Sequence, residues 1–93
     1  TKVRGMFVHA SQVADVVKRH PGVARARLVV EGEMANDRMI FRIEHAGQDD
    51  GLALAVAATV KDITKLRADQ VQILAPGSLP NDGKVIEDAR KYD

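Results

Sequence analysis

Val23-Ala24-Arg25-Ala26-Arg27-Leu28-Val29-Val30-Glu31-Gly32-Glu33 decides the fold, read together with Arg38-Met39-Ile40-Phe41-Arg42-Ile43-Glu44. In the first stretch Ala26, Leu28 and Val30 alternate with Arg25, Arg27 and Glu31. In the second, Met39, Phe41 and Ile43 alternate with Arg38, Arg42 and Glu44. A period of two places apolar side chains on one face of an extended chain and charged ones on the other. Both stretches therefore read as half-buried strands, the first from about Val23 to Glu33 and the second from Arg38. The polar, turn-like segment Gly32 to Asp37 between them is short enough for an antiparallel hairpin.

Outward from this hairpin the period changes. On the N-terminal side, Val13, Val16 and Val17 recur at helical spacing. Ser11 is a good N-cap for that helix, and His20-Pro21-Gly22 stops it. On the C-terminal side, Leu52, Val56, Val60, Ile63 and Leu66 form one apolar helical face, ending near Leu66. Asp49 or Asp50 is placed to cap it. Val71, Ile73 and Ala75 suggest a further strand, stopped by Pro76-Gly77. Val3 to Val8 reads as a short strand or loop with a break at Gly5. The predicted order is β-α-β-β-α-β, then a loop and a tail from Ser78 to Asp93. That order gives an α+β domain, with helices packed on a small mixed or antiparallel sheet. Lys2 to Gly5 and Pro76 to Lys84 are predicted to lie outside the core.

Composition narrows the function. The chain has 93 residues, 14 Lys plus Arg and 13 Asp plus Glu, for a formal net charge of +1. A chain of this size buries roughly 60–65% of the surface its unfolded form exposes. One modest core is expected, without room for a deep enclosed active site, so chemistry falls to a surface or to a partnership. Near-neutral charge with one Tyr, two Phe and no Trp argues against a dedicated nucleic-acid binder. No apolar run approaches a membrane span and no signal-like start is present, so a soluble cytoplasmic domain is expected. Absence of cysteine removes disulfides and thiolate chemistry. The start at Thr1, without Met, suggests a fragment.

Few residues carry chemistry by pattern alone. His9, His20 and His45 are scattered, with no metal-binding spacing, and structural or surface roles are expected. Met6, Met34 and Met39 read as packing or turn residues. Asp49, Asp50 and Asp82 read as solvated loop carboxylates rather than a cation site. No metal site is expected. Leu79-Pro80-Asn81-Asp82-Gly83-Lys84 is more informative, because Pro, Asn, Asp and Gly together force an exposed turn. Lys84 would be held at its tip, where a compact charge on a flexible stem suits phosphate or carboxylate oxygens. A polar surface loop that happens to contain a lysine explains the same residues. Gly5, between Arg4 and an apolar strand, permits close backbone approach to a ligand, and also suits a simple strand kink.

Read together, the two ends resemble a known family. Lys2-Val3-Arg4-Gly5-Met6-Phe7-Val8-His9-Ala10-Ser11-Gln12-Val13 resembles the start of the C-terminal domain of phenylacetate–coenzyme A ligases, which belong to the adenylate-forming (AMP-binding) enzymes. Pro76-Gly77-Ser78-Leu79-Pro80-Asn81-Asp82-Gly83-Lys84 resembles that family's last motif, a Pro-rich loop ending in Gly-Lys. The resemblance covers nearly the whole chain.

It implies a two-step reaction: a carboxylic acid and ATP give an acyl-adenylate and pyrophosphate, then coenzyme A displaces AMP to give the thioester. A large N-terminal adenylation domain, absent from this chain, would hold ATP, Mg2+ and an aryl or phenylacetic acid, while the small domain acts as a rotating lid. By this resemblance Lys84 matches the lysine of adenylation, and Pro80 and Gly83 belong to its supporting loop. Gly5 matches the glycine whose backbone lines the pantetheine tunnel, with Arg4 and Lys2 placed to meet coenzyme A phosphates. Many relatives have Pro where this chain has Ala10, and Glu where it has Ala14. The Gly-Lys motif often has an Arg a few residues later, whereas Val85 to Asp88 intervene here before Arg90. The resemblance allows a homodimer of the full enzyme and a carrier-protein pantetheine as acceptor. The alternative is a stand-alone regulatory module of the ACT or ferredoxin-like type, holding a small ligand or dimerising through a sheet edge.

Overall fold

The computed structural model describes residues 2–32, 37–47, 51–80 and 83–90. The chain order is β1 (Lys2–Val3), β2 (Met6–Phe7), α1 (Ala10–Arg19), β3 (Val23–Glu31), β4 (Arg38–His45), α2 (Leu52–Thr64), β5 (Gln70–Leu74) and β6 (Ile86–Asp88). It is an α+β fold with a mixed sheet, as the alternation patterns predicted.

β3 and β4 pair antiparallel over nearly their whole length, from Val23 opposite His45 to Glu31 opposite Arg38. One irregularity lies between Val23 and Arg25. β5 adds to β4 and β6 adds to β3, both in parallel, so the sheet runs β5-β4-β3-β6. Ala26, Leu28, Val30, Met39, Phe41 and Ile43 form the buried face and join Val13, Val16, Leu52, Val56 and Val60 of the helices in one core. This is the amphipathic pairing of a two-layer fold.

Several expectations change. Val3 to Val8 is not one broken strand but a separate two-stranded hairpin outside the main sheet. Its N-terminal strand therefore does not enter the sheet, which separates the chain from the split βαβ arrangement of ferredoxin-like modules. The tail is not an appendage: Ile86–Asp88 forms the strand β6, completing the β3 edge. A three-residue strand has too little period for its alternation to be seen in sequence.

Neither end stands wholly outside the core, since Val3 and Leu79 are both buried. α1 starts at Ala10 with His9 as N-cap, not Ser11. The reason lies in Gln12, whose Oε1 accepts the His9 backbone N–H at 2.8 Å and satisfies one orphan donor of the first turn. Gly51 caps α2, and Asp49 and Asp50 lie outside the described residues, as do Glu33, Met34, Asn81 and Asp82. α2 ends at Thr64, with Lys65 left-handed as C-cap. β3 stops at Glu31. β5 stops at Leu74, and its Ile73 is exposed on the sheet edge.

The face of the sheet away from the helices is not open either. Arg27 and Glu44, read as its polar side, are 3% and 2% exposed. Loop 76–80 crosses Glu44, and Arg27 pairs with Glu87 of β6 at 3.0 Å.

Candidate functional site

The two predicted site segments are held at opposite ends of the β3–β4 hairpin. Arg4 and Gly5 are the two central residues of the β1–β2 turn, at φ 48° and 84°. Two consecutive left-handed residues make the tight turn whose twist matches a hairpin, and glycine adopts that conformation without steric cost.

The turn is anchored from below. The Arg4 backbone N–H donates to Asp37 Oδ2 at 3.0 Å. Its guanidinium donates to the Asp37 carbonyl at 3.2 and 3.3 Å, to the Arg67 carbonyl at 3.0 Å and to the Asp69 carboxylate. Asp69 also accepts the Met39 N–H at 2.6 Å, tying the start of β5 to the start of β4. Arg90 completes the network, donating to the Lys2 carbonyl at 2.7 Å, to Asp37 Oδ2 at 3.2 Å and to both Asp88 oxygens. The Arg4 backbone N–H, more than the guanidinium charges of Arg90 and Arg4, holds the Asp37 carboxyl below the usual carboxylate range against an opposing desolvation. The Arg4 side chain is thus turned inward onto the protein. Lys2 is exposed, its Nζ 5.7 Å from the centre of the Phe7 ring. Phe7 itself is 64% exposed and stacks on His9.

Lys84 lies at the other end. The Val85 carbonyl accepts the Leu28 N–H at 2.9 Å, which fixes the chain beside the middle of β3. Gly83, at φ 76°, precedes an exposed Lys84. Gly83, Lys84 and Val85 flank a groove of about 400 Å³ with Val13, Val17 and Arg25. Counting along β3, the Lys84 segment and the Gly5 turn are separated by on the order of 15–20 Å at the rise of a strand.

The loop that leads to Lys84 has its own anchor, which the sequence pattern did not single out. Glu44 accepts the Leu79 N–H at 2.8 Å, and the backbone N–H of Gly77 also favours its ionised form. Those two backbone donors, with Arg25 behind them, keep its carboxyl below the ordinary glutamate value despite burial. Arg25 donates to the Leu79 and Pro80 carbonyls at 3.3 and 2.9 Å and stands 3.9 Å from Glu44. Arg25 and Glu44 are direct cross-strand partners, and that opposite-charge pairing in the expected hairpin was the available signal. Asp37 and Arg90 carried no such signal, because they meet only through the fold.

The histidines take structural contacts: the His20 ring lies 2.8 Å from Thr59 Oγ1, and His45 Nδ1 lies 3.0 Å from the Gly47 carbonyl. Among the described residues no group of three or more His, Asp or Glu could hold a metal ion. No helix among them is long and apolar enough to cross a membrane.

No protein-family model matches the sequence, and no curated protein matches it. Solved structures do. A domain of phenylacetate-coenzyme A ligase from Bacteroides vulgatus ATCC 8482 matches with a TM-score of 0.86 at 19% identity, over 100% of this chain and 94% of that one. 2-Hydroxyisobutyryl-CoA ligase, in complex with 2-HIB-AMP and CoA in the thioesterification state, matches with a TM-score of 0.81 at 21% identity. The match takes in 97% of this chain and 21% of that one, so the chain spans about a fifth of that ligase. The same ligase in the postadenylation state matches with a TM-score of 0.77. The chain shares the fold of these ligase domains, in line with the resemblance carried by its end motifs.

Proposed function

We propose that the chain is the C-terminal lid domain of an ATP-dependent phenylacetate- or aryl-acid–coenzyme A ligase of the adenylate-forming kind. One observation carries this reading: the Gly5 turn and the Gly83-Lys84 segment sit at opposite ends of one rigid hairpin, in a fold shared with coenzyme A ligase domains. A single orientation cannot bring both to one reaction centre, and two orientations can. In the first, Lys84 faces the acid and ATP. The carboxylate oxygen attacks the α-phosphorus, pyrophosphate leaves, and the Lys84 ammonium offsets the negative charge gathered there. In the second, the Gly5 turn faces the same centre. Its backbone, without a side chain, lines the path of the pantetheine arm, and Lys2 beside it supplies positive charge for coenzyme A phosphates. The sulfur attacks the acyl carbonyl and AMP leaves. Arg4, directed inward, holds the turn. The N-terminal adenylation domain carries the acid pocket, the ATP and its Mg2+. The enzyme is read as cytoplasmic, and the isolated domain as inactive.

The test is Lys84→Ala in the full enzyme. Adenylation should fall by about 10²–10³-fold, the scale of losing one charge-stabilising donor. Thioester formation from supplied acyl-adenylate should be largely spared. Equal loss in both half-reactions, or no loss in either, contradicts the assignment.

A further inference from the structure

Lys84 can serve adenylation only if the segment before it is held in place, and the protein spends a buried charge there. Glu44 is 2% exposed, next to the end of β4, where a carboxylate is costly unless its oxygens are satisfied. Its hydrogen-bond donor is the Leu79 N–H of loop 76–80, where the backbone N–H of Gly77 also favours the charged form. Arg25 grips the same loop from the opposite polarity, through the carbonyls of Leu79 and Pro80. Leu79 is thus held at both its N–H and its carbonyl, by two side chains from neighbouring strands. Three residues lie between Pro80 and Lys84, and Arg25 lines the same groove as Gly83 and Lys84. The main apolar cluster, with Leu28, Met39, Phe41 and Ile43, lies on the opposite face of the sheet.

We infer that Arg25 and Glu44 are positioning residues for Lys84: together they clamp loop 76–80 to the sheet and so fix the point from which the lysine reaches the reacting phosphate. This rests on the adenylation role given to Lys84 above. The planar fork of Arg25 spans two carbonyls, which the single ammonium of a lysine does less well. Glu44 supplies a charged acceptor for the Leu79 N–H, where the neutral amide of glutamine offers an oxygen without charge. The clamp acts on the Lys84 end alone, leaving the Gly5 turn to its separate anchor at Asp37 and Arg90.

The experiment uses the full enzyme with phenylacetate, ATP and Mg2+, and reads two things. The first is amide hydrogen exchange at Leu79, which needs no turnover. Arg25→Met and Glu44→Gln should each accelerate it by about tenfold or more, the scale of losing a charge-assisted hydrogen bond. The second is the half-reaction split. Each variant should lower adenylation by about 10–100-fold, with Arg25→Lys intermediate. Thioester formation from supplied phenylacetyl-adenylate should stay within about twofold. Combined with Lys84→Ala, neither should add to the loss, because each acts through that lysine. Unchanged Leu79 exchange overturns the clamp. Faster exchange with full adenylation in an enzyme that Lys84→Ala cripples overturns the positioning role, as does equal loss in both half-reactions. If Lys84→Ala is itself harmless, the adenylation role of Lys84 fails, and the positioning role with it, while Leu79 exchange still reports on the clamp alone.

Discussion

Asp37 shows how one carboxylate can hold several chain segments together. It accepts from the Arg4 backbone and from Arg90, and its own carbonyl accepts from the Arg4 guanidinium. Its folded-state value is depressed, chiefly by the Arg4 N–H. A depressed carboxylate contributes stability that is fully present above its unfolded value, near about 4, and is lost as pH falls through the folded value. Glu44 has the same sign. The melting temperature of the chain should therefore hold from neutral pH to about 5 and then decline toward about 3. Asp37→Asn should start lower at neutral pH and decline less steeply; parallel curves for the variant and the parent would show that Asp37 does not contribute. Asp62 is also depressed, by Arg19, but both side chains are more than half exposed and that pair should fade with salt.

At the level of elements, the β1–β2 hairpin is the piece most dependent on one residue. A Cβ at Gly5 would meet nothing within 4 Å, so space is not the constraint; the φ of 84° is. Gly5→Ala should cost roughly 1–2 kcal/mol from the left-handed backbone alone. Thermal melts should show that as a drop of about 4–8 °C per kcal/mol. Gly5→Asn, which tolerates this conformation, should lose less; equal losses would place the cost in contacts instead.

What the sequence disclosed about these elements follows their length and period. The β3–β4 pair and both helices were legible, because eight or more residues of alternating or helical pattern state which face is buried. β1, β2 and β6 have two or three residues each and exist only through their partners. The burial of Arg27 and Glu44 was illegible for another reason: charge predicts exposure until a distant loop and strand supply the partners. Lys84 and Gly5 were singled out by turn chemistry and by the resemblance of the two end motifs, whereas the residues that anchor their segments, Asp37 and Arg25 with Glu44, required the fold.

Across the whole molecule, β3 and β4 act as a strut with a fixed register between two anchored ends. The Gly5 turn rests on Asp37, Arg90 and Asp69; the Lys84 segment rests on Glu44 and Arg25. The two sets share no side chain among the hydrogen bonds described, and they lie farther apart than the range over which substitutions ordinarily interact. Gly5→Ala and Glu44→Gln should therefore change unfolding free energy additively, to within about 0.5 kcal/mol in a double-mutant cycle. A larger interaction energy would mean that strain passes along the strut. Additivity has a consequence for how such a sequence can diversify. Substitutions that retune one end need no compensating change at the other, so the turn and the lysine loop are free to drift separately while the hairpin between them keeps its length.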